Sequence, residues 1–160
     1  MSKLNRHMTE ALPTLSFQKR LSYRTSITEV RSLFKLLNKE LFNGELPIPK
    51  FQLVYRWKGY WGECSAKDDT PIPARSTCTI TLVDKWACRQ WLITILAHEM
   101  CHQYQWDVAG LRRIQQGLEP IMSHGPSFFA HRDRLITHSI PLKRSPNLGN
   151  WFKFQNLFKS

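Results

Sequence analysis

The sequence predicts an α+β domain in which a small, mostly antiparallel sheet packs on one long buried helix and on flanking helices. Three features lead there: a helix-period segment over residues 27–41, short β-branched and aromatic runs between residues 50 and 83, and an almost wholly apolar helical segment ending near Trp106. At 160 residues and 42% hydrophobic content, the chain can bury one core without disulfide staples.

The first element, "SITEVRSLFKLLNKELFNGELP", sets Ile27, Val30, Leu33, Phe34, Leu37 and Leu41 on one helical face. Ser26 followed by Glu29 is a capping-box start, and Asn43-Gly44 followed by Pro47 is a stop. "KFQLVYRW" and "YWGECSA", separated by Lys58-Gly59, read as two antiparallel strands. After the polar loop "KDDTPIPARS", the alternation of "TCTITLV" predicts a third strand at the sheet edge. Asp84 is the expected cap of a helix running from about residue 86 to Trp106, before Gly110. Residues 109–123 have no clear period, and "SHGPSFFAHRDRLITH" restarts a helix with Pro126 in its first turn. Beyond Pro141 no sustained period is visible, and the chain has no internal repeat.

Charge divides the chain. Residues 1–25 hold five Lys/Arg against one acidic residue, residues 26–131 twelve against ten, and residues 132–160 six against one. The net +11 is therefore concentrated at the flanks. This predicts a basic N-terminal arm over 1–25, a folded domain over 26–142 and a basic, aromatic tail over 143–160, with a polyanion such as nucleic acid as partner. The cysteines Cys64, Cys78, Cys88 and Cys101 form no CxxC pair, which speaks against a zinc ribbon or a dithiol redox site. No apolar run approaches the roughly 18 residues of a membrane span, and the N-terminus lacks the apolar centre of a signal peptide. A soluble, monomeric, intracellular protein is expected, in the cytoplasm or associated with DNA in nucleoid or nucleus.

The chemistry is concentrated in "ITILAHEMCHQYQW". On a helix, His98 and His102 project from nearly the same side and offer two imidazoles to one point, the geometry for gripping a metal ion. Glu99 is rotated about 100° from His98, a neighbour of the metal rather than a ligand, suited to act as general base. With six His in the chain, a chance His-Glu-x-x-His would arise in roughly one shuffled sequence in a hundred. The preceding "WLITILA" would bury the motif, and burying unpaired His and Glu is costly unless a metal takes them up.

One zinc ion with a third protein ligand and an open position is the expected cofactor arrangement. Asp107, Glu119 and His124 compete for the third place. The HExxHxxGxxH pattern fails, since Gln105 and Val108 stand at its last glycine and histidine places. Glu119 would match a thermolysin-like arrangement, but Pro120 interrupts its surroundings. His124, just before Gly125-Pro126, is better placed to aim back at the helix.

The order "LFKLLNKELFNGELP", "WKGYWGECSA", "CTITL", "ILAHEMCHQYQW" and "SHGPSFFAHRDRL" resembles the SprT-like family of zinc metalloproteases over about residues 28–137. The resemblance implies a zincin-like minimal protease fold, His124 of the HGP element as third zinc ligand, and Glu99 as the catalytic residue of a metalloendopeptidase. It also implies protein substrates bound or crosslinked to DNA, with DNA, single-stranded regions favoured, helping to activate the enzyme. Many relatives carry further elements after the protease core. Here DNA contact is expected from the core and the basic flanks: Lys143, Arg144, Trp151, Lys153 and Lys159, with Phe152, Phe154 and Phe158 either stacking on bases or latching onto the core.

Other residues carry less. His131 and His138 read as surface or supporting histidines, and Cys101 as a small buried residue. Tyr55, Trp57, Tyr60 and Trp61 are candidates for a cleft wall or for core, and Asp107 and Asp133 for orienting a ligand histidine. An extended substrate is expected to add beside the "TCTITLV" edge. Two rival readings remain: a nucleic-acid-binding module with a structural zinc, and a general zinc peptidase independent of DNA.

Overall fold

The computed structural model describes residues 1–12, 21–55, 59–66 and 70–159, without the side chains of Phe158 and Lys159. The predicted roles of Trp57, of Lys58 in a turn and of the Phe158 and Lys159 side chains lie outside the described residues.

Helix α1 (Lys3–Thr9) is capped by Ser2, whose Oγ accepts from the Asn5 N–H at 3.1 Å. One turn apart, Leu4 and Met8 are fully buried against α2 (Ile27–Phe42) and α3 (Arg89–Gln103). The segment expected to be a basic arm is thus in part core: a single apolar pair at i, i+4 is a weak signal among so many charges.

In α2 the sequence signals hold. Ser26 Oγ accepts from the Glu29 N–H at 3.1 Å, Asn43 adopts the left-handed conformation at φ 54°, and the Gly44 N–H reaches back to the Asn38 carbonyl at 2.9 Å. The Glu29 carboxylate does not close the reciprocal box. It accepts from Thr25 Oγ1 at 2.7 Å and from Tyr23 OH, and pairs with Arg89 at 3.6 Å, tying α2 to the start of α3.

The main sheet has the order β2 (Lys50–Val54), β4 (Cys78–Val83), β3 (Gly62–Ala66), with β2 parallel and β3 antiparallel to β4. The predicted β2–β3 hairpin is replaced by two strands that flank a third, and the sheet is mixed. "TCTITLV" is its centre, not its edge: Thr79 is buried, and alternating threonine marks a solvent face poorly because half of its side chain is apolar. A second, two-stranded antiparallel sheet pairs β1 (Tyr23–Arg24) with β5 (Lys85–Trp86).

That small strand displaces the expected helix start. The Asp84 carbonyl accepts from Thr25 N–H at 2.9 Å and its N–H donates to Val54 at 3.1 Å, so Asp84 joins the two sheets while Cys88 occupies the N-cap of α3. Helix α3 is buried on almost every side, which explains its lack of amphipathic period. It continues as a π-helix over Tyr104–Gly110 and then as α4 (Leu111–Gln115). Gly110, expected just beyond the helix, lies inside it: a Cβ there would stand 2.8 Å from the Gln105 carbonyl, so the wide turn needs a glycine.

After a stretch without regular structure, a 3-10 turn (Phe128–His131) leads into α5 (Arg132–Thr137), with Phe128 N–H on the Gly125 carbonyl at 3.0 Å. The last element, α6 (Leu148–Lys159), is not legible as a period. It buries Trp151, Phe152 and Gln155, the last a polar residue that conceals the apolar face. Trp151 lies 5.4 Å from Trp91, which in turn neighbours Trp61 at 6.0 Å, while Trp61 stacks on Trp86 at 5.5 Å. This chain of indoles ties α6, α3, β5 and the entrance to β3 into one core. Among the described residues, no helix is long and apolar enough to cross a membrane.

Candidate metal centre

Helix α3 carries His98 and His102 one turn apart, and the segment before the 3-10 turn brings His124 to meet them. One nitrogen from each ring lies within 4.8 Å of the others, and His102 Nε2 is 3.2 Å from His124 Nε2. Phe128 forms the floor, its ring centroid 4.9, 4.6 and 4.7 Å from those of His98, His102 and His124. That residue is fully buried, so the three imidazoles are held from below by one rigid ring.

Burial keeps these rings neutral, the form that binds a metal. The His98 pKa is pushed down to about 3, first by burial and then by the neighbouring His102 and His124, and its buried Nδ1 has no hydrogen-bond partner among the described residues. Burial likewise lowers the values of His102 and His124, the latter with help from the Arg144 charge. Such a set could hold a metal ion, its opposite side opening on a cleft of about 670 Å³.

Glu99 lies in the wall of that cleft and is only 6% exposed. Burial raises its pKa to about 8, with the Glu63 carboxylate pushing the same way and a backbone hydrogen bond from Cys64 opposing. Both neighbours come from β3, the strand that forms the facing wall. The cleft is closed at another side by Arg144–Gly149, the segment entering α6.

The remaining candidates separate clearly. Asp107 accepts from Ser76 Oγ at 2.6 Å and Gln103 Nε2 at 3.1 Å, so it neither joins nor orients the histidines. Glu119 is exposed, with its carbonyl engaged by Arg113 at 2.6 Å, and Asp133 is exposed on α5. Cys101 is fully buried and burial drives its thiol pKa well up, in keeping with an inert small residue. His131 packs between Phe42 and Tyr104, at 4.7 and 4.4 Å, and His138 Nδ1 faces Asn5 Oδ1. Tyr55 is almost fully exposed, whereas Tyr60 and Trp61 line the cleft. Lys143, Arg144 and Lys153 are exposed, but Trp151 is buried to 3% and presents no face to a base.

A family model, that of the SprT-like family, matches residues 30–145. The chain belongs to the SprT-like family. Its domain is metallopeptidase-like, and the SprT-like match spans the cleft-lining residues except Pro146–Gly149, the larger part of that wall. A search of curated proteins gives no match.

Two contributors to this SprT-like site are not apparent from the sequence as site residues. Gln105 Oε1 faces His102 Nδ1 at 2.8 Å, and its Nε2 donates to the loop before His124, a role foreshadowed only by its i+3 spacing. Gly62 carries one signal, that of a glycine inside a strand, a mark of close approach: a Cβ there would stand 3.3 Å from Glu99 Cγ.

Proposed function

We propose that this chain is a zinc-dependent endopeptidase acting on DNA-bound or DNA-crosslinked proteins. The observation that carries the peptidase reading is the convergence of three histidine nitrogens within 4.8 Å at the head of an open cleft that also holds a buried glutamate. Two nitrogens each about 2.0–2.1 Å from a tetrahedral zinc stand about 3.4 Å apart, close to the 3.2 Å between His102 and His124. His98, His102 and His124 would hold the ion, which supplies Lewis acidity to the water and the carbonyl that meet in the cleft.

Glu99 then serves as general base. With the cation beside it favouring the carboxylate form, it can take a proton from the attacking water and hand it to the leaving amine. The expected strand addition moves to another strand, because β4 is central. Among the described residues β3 pairs with β4 alone, so no strand covers its other edge, where Gly62, Glu63 and Cys64 line the cleft and the Cys64 backbone already reaches Glu99. An extended substrate docked there by backbone hydrogen bonds would be selected little by its side chains. Location on DNA would then restrict the activity, and the net charge of +11 with exposed Lys143, Arg144 and Lys153 supports that attraction.

The test is cleavage of a basic DNA-binding protein by zinc-loaded chain, with and without single-stranded DNA, beside Glu99→Gln. Cleavage that requires both Glu99 and DNA is the expected result. Cleavage requiring Glu99 alone would mark a general zinc peptidase. No cleavage with zinc firmly bound would favour a structural zinc in a nucleic-acid-binding module.

A further inference from the structure

Gln105 is 1% exposed, and both ends of its amide are engaged. Its Oε1 lies 2.8 Å from His102 Nδ1, while its Nε2 lies 2.6 Å from the Ser123 carbonyl and 3.0 Å from Ser127 Oγ. The direction of these bonds follows from the Ser123 carbonyl, which can only accept. It fixes the amide nitrogen on the loop side and leaves the amide oxygen facing His102. An oxygen there can only accept in turn, so His102 Nδ1 carries the hydrogen and Nε2 keeps its lone pair, on the side where His124 lies 3.2 Å away.

We infer that Gln105 is a positioning residue that sets the tautomer of His102 and clamps the loop carrying His124. A single side chain thereby fixes ligands from two separate parts of the chain, since Ser123 immediately precedes His124. The π-helix contributes directly: Gln105 lies in its first turn, and its carbonyl is the group that Gly110 leaves room for. Asp107, two residues on, does not compete for the role, because it is bound to Ser76 and Gln103. The inference rests on the metal-centre reading for its purpose, but its geometry does not depend on catalysis.

The experiment uses the full chain with nitrogen-labelled histidine, recorded zinc-free and zinc-loaded, together with zinc affinity by chelator competition. In the unaltered chain His102 is expected as the Nδ1–H tautomer in both states. Gln105→Met keeps a side chain of similar length, and should give His102 mixed tautomers and zinc binding weaker by about 10–100-fold. Gln105→Glu restores an acceptor to His102 and should recover the Nδ1–H tautomer and part of the affinity. An Nε2–H tautomer in the unaltered chain overturns the inference, and this reading stands even if Gln105→Met does not fold. So does a Gln105→Met protein with unchanged tautomer and affinity within about threefold, or a folded Gln105→Glu protein that does not recover the Nδ1–H tautomer. Failure of the unaltered chain to bind zinc would sink the metal centre instead, while the zinc-free spectra still judge the tautomer.

Discussion

Glu99 folds its side chain against the bare backbone of Gly62: a Cβ added to the glycine would lie 3.3 Å from Glu99 Cγ, 3.2 Å from Ile95 Cγ2 and 2.9 Å from Leu82 Cδ2. Edge strand and metal helix can approach this closely only because one residue of β3 lacks a side chain. The carboxylate is thereby held between the strand that would bind a substrate and the histidines that would bind a metal.

Gly62→Ala should therefore push β3 away from α3. Leu82 can swing the end of its side chain, but the branch of Ile95 and the stem of Glu99 are less free, so a stability loss of about 1–3 kcal/mol is expected. Peptidase activity should fall by more than the folded fraction does, because the base is displaced as well. Thermal unfolding together with activity per folded molecule measures both, and a loss confined to stability would show that Glu99 keeps its place despite the added methyl.

Glu99→Gln should abolish cleavage, with at least a roughly 100-fold loss, and yet stabilise the zinc-free chain at neutral pH. The Glu99 pKa of about 8 lies above its ordinary 4.5, so between these values the folded state holds a proton that the unfolded chain has released. Stability from this group is complete below pH 4.5 and drains away as pH rises through 8. The amide removes that dependence, so the advantage of Glu99→Gln should open from near zero at pH 4.5 to on the order of 2–4 kcal/mol at pH 8. Denaturant unfolding in the presence of a chelator checks it, and equal stability of the two proteins at pH 8 would contradict a buried carboxylate.

The histidines tilt stability in the opposite sense. His98, His102, His124, His131 and His138 all have proton affinities lowered by burial, with His98 down to about 3. Below pH 6.5 the unfolded chain takes up protons that the folded one refuses, so this contribution is present above 6.5 and drains away as pH falls towards 3. In the Glu99→Gln background the opposing slope is gone, and zinc-free stability should fall monotonically on acidification from about pH 7. Zinc should be released over the same range, since its ligands must be unprotonated. A flat profile from about pH 7 to 5 would mean that these rings are not buried as described.

What is legible in the sequence follows from local rules. The Ser26 and Asn43 caps of α2 and the pairing of His98 with His102 depend on neighbours within a few residues, and each is in place, whereas the helix expected to hold Pro126 in its first turn begins only at Phe128. What is not legible depends on distant partners. The centre of a sheet and its edge differ by which strands flank them, and nothing within "TCTITLV" announces that both β2 and β3 will pair with it. Asp84 resembles a cap until Tyr23–Arg24 arrives from far upstream to claim the next two residues as a strand. Gln105 finds its partners up to 22 residues away across a loop without regular structure, so its spacing from His102 alone could not reveal the clamp.

The C-terminal residues grouped by sequence as one nucleic-acid surface divide into two kinds with different expected behaviour. Trp151 packs 5.4 Å from Trp91 and 5.0 Å from Phe152, and its truncation to Ala should cost about 3–5 kcal/mol of stability without altering DNA affinity per folded molecule. Lys143, Arg144 and Lys153 are exposed, so their replacement by Ala should leave the fold intact and weaken DNA binding. Because Arg144 also lines the cleft, the measurement belongs in the Glu99→Gln background, with binding rather than cleavage as the readout. For single-stranded DNA, removing each side chain that neutralises a phosphate should flatten the slope of log affinity against log salt by about 0.7. A triple variant with an unchanged slope would place the DNA-binding surface elsewhere on the basic molecule. A Trp151→Ala protein that stays fully folded but binds DNA more weakly would make the indole a stacking platform after all, against its burial in the core.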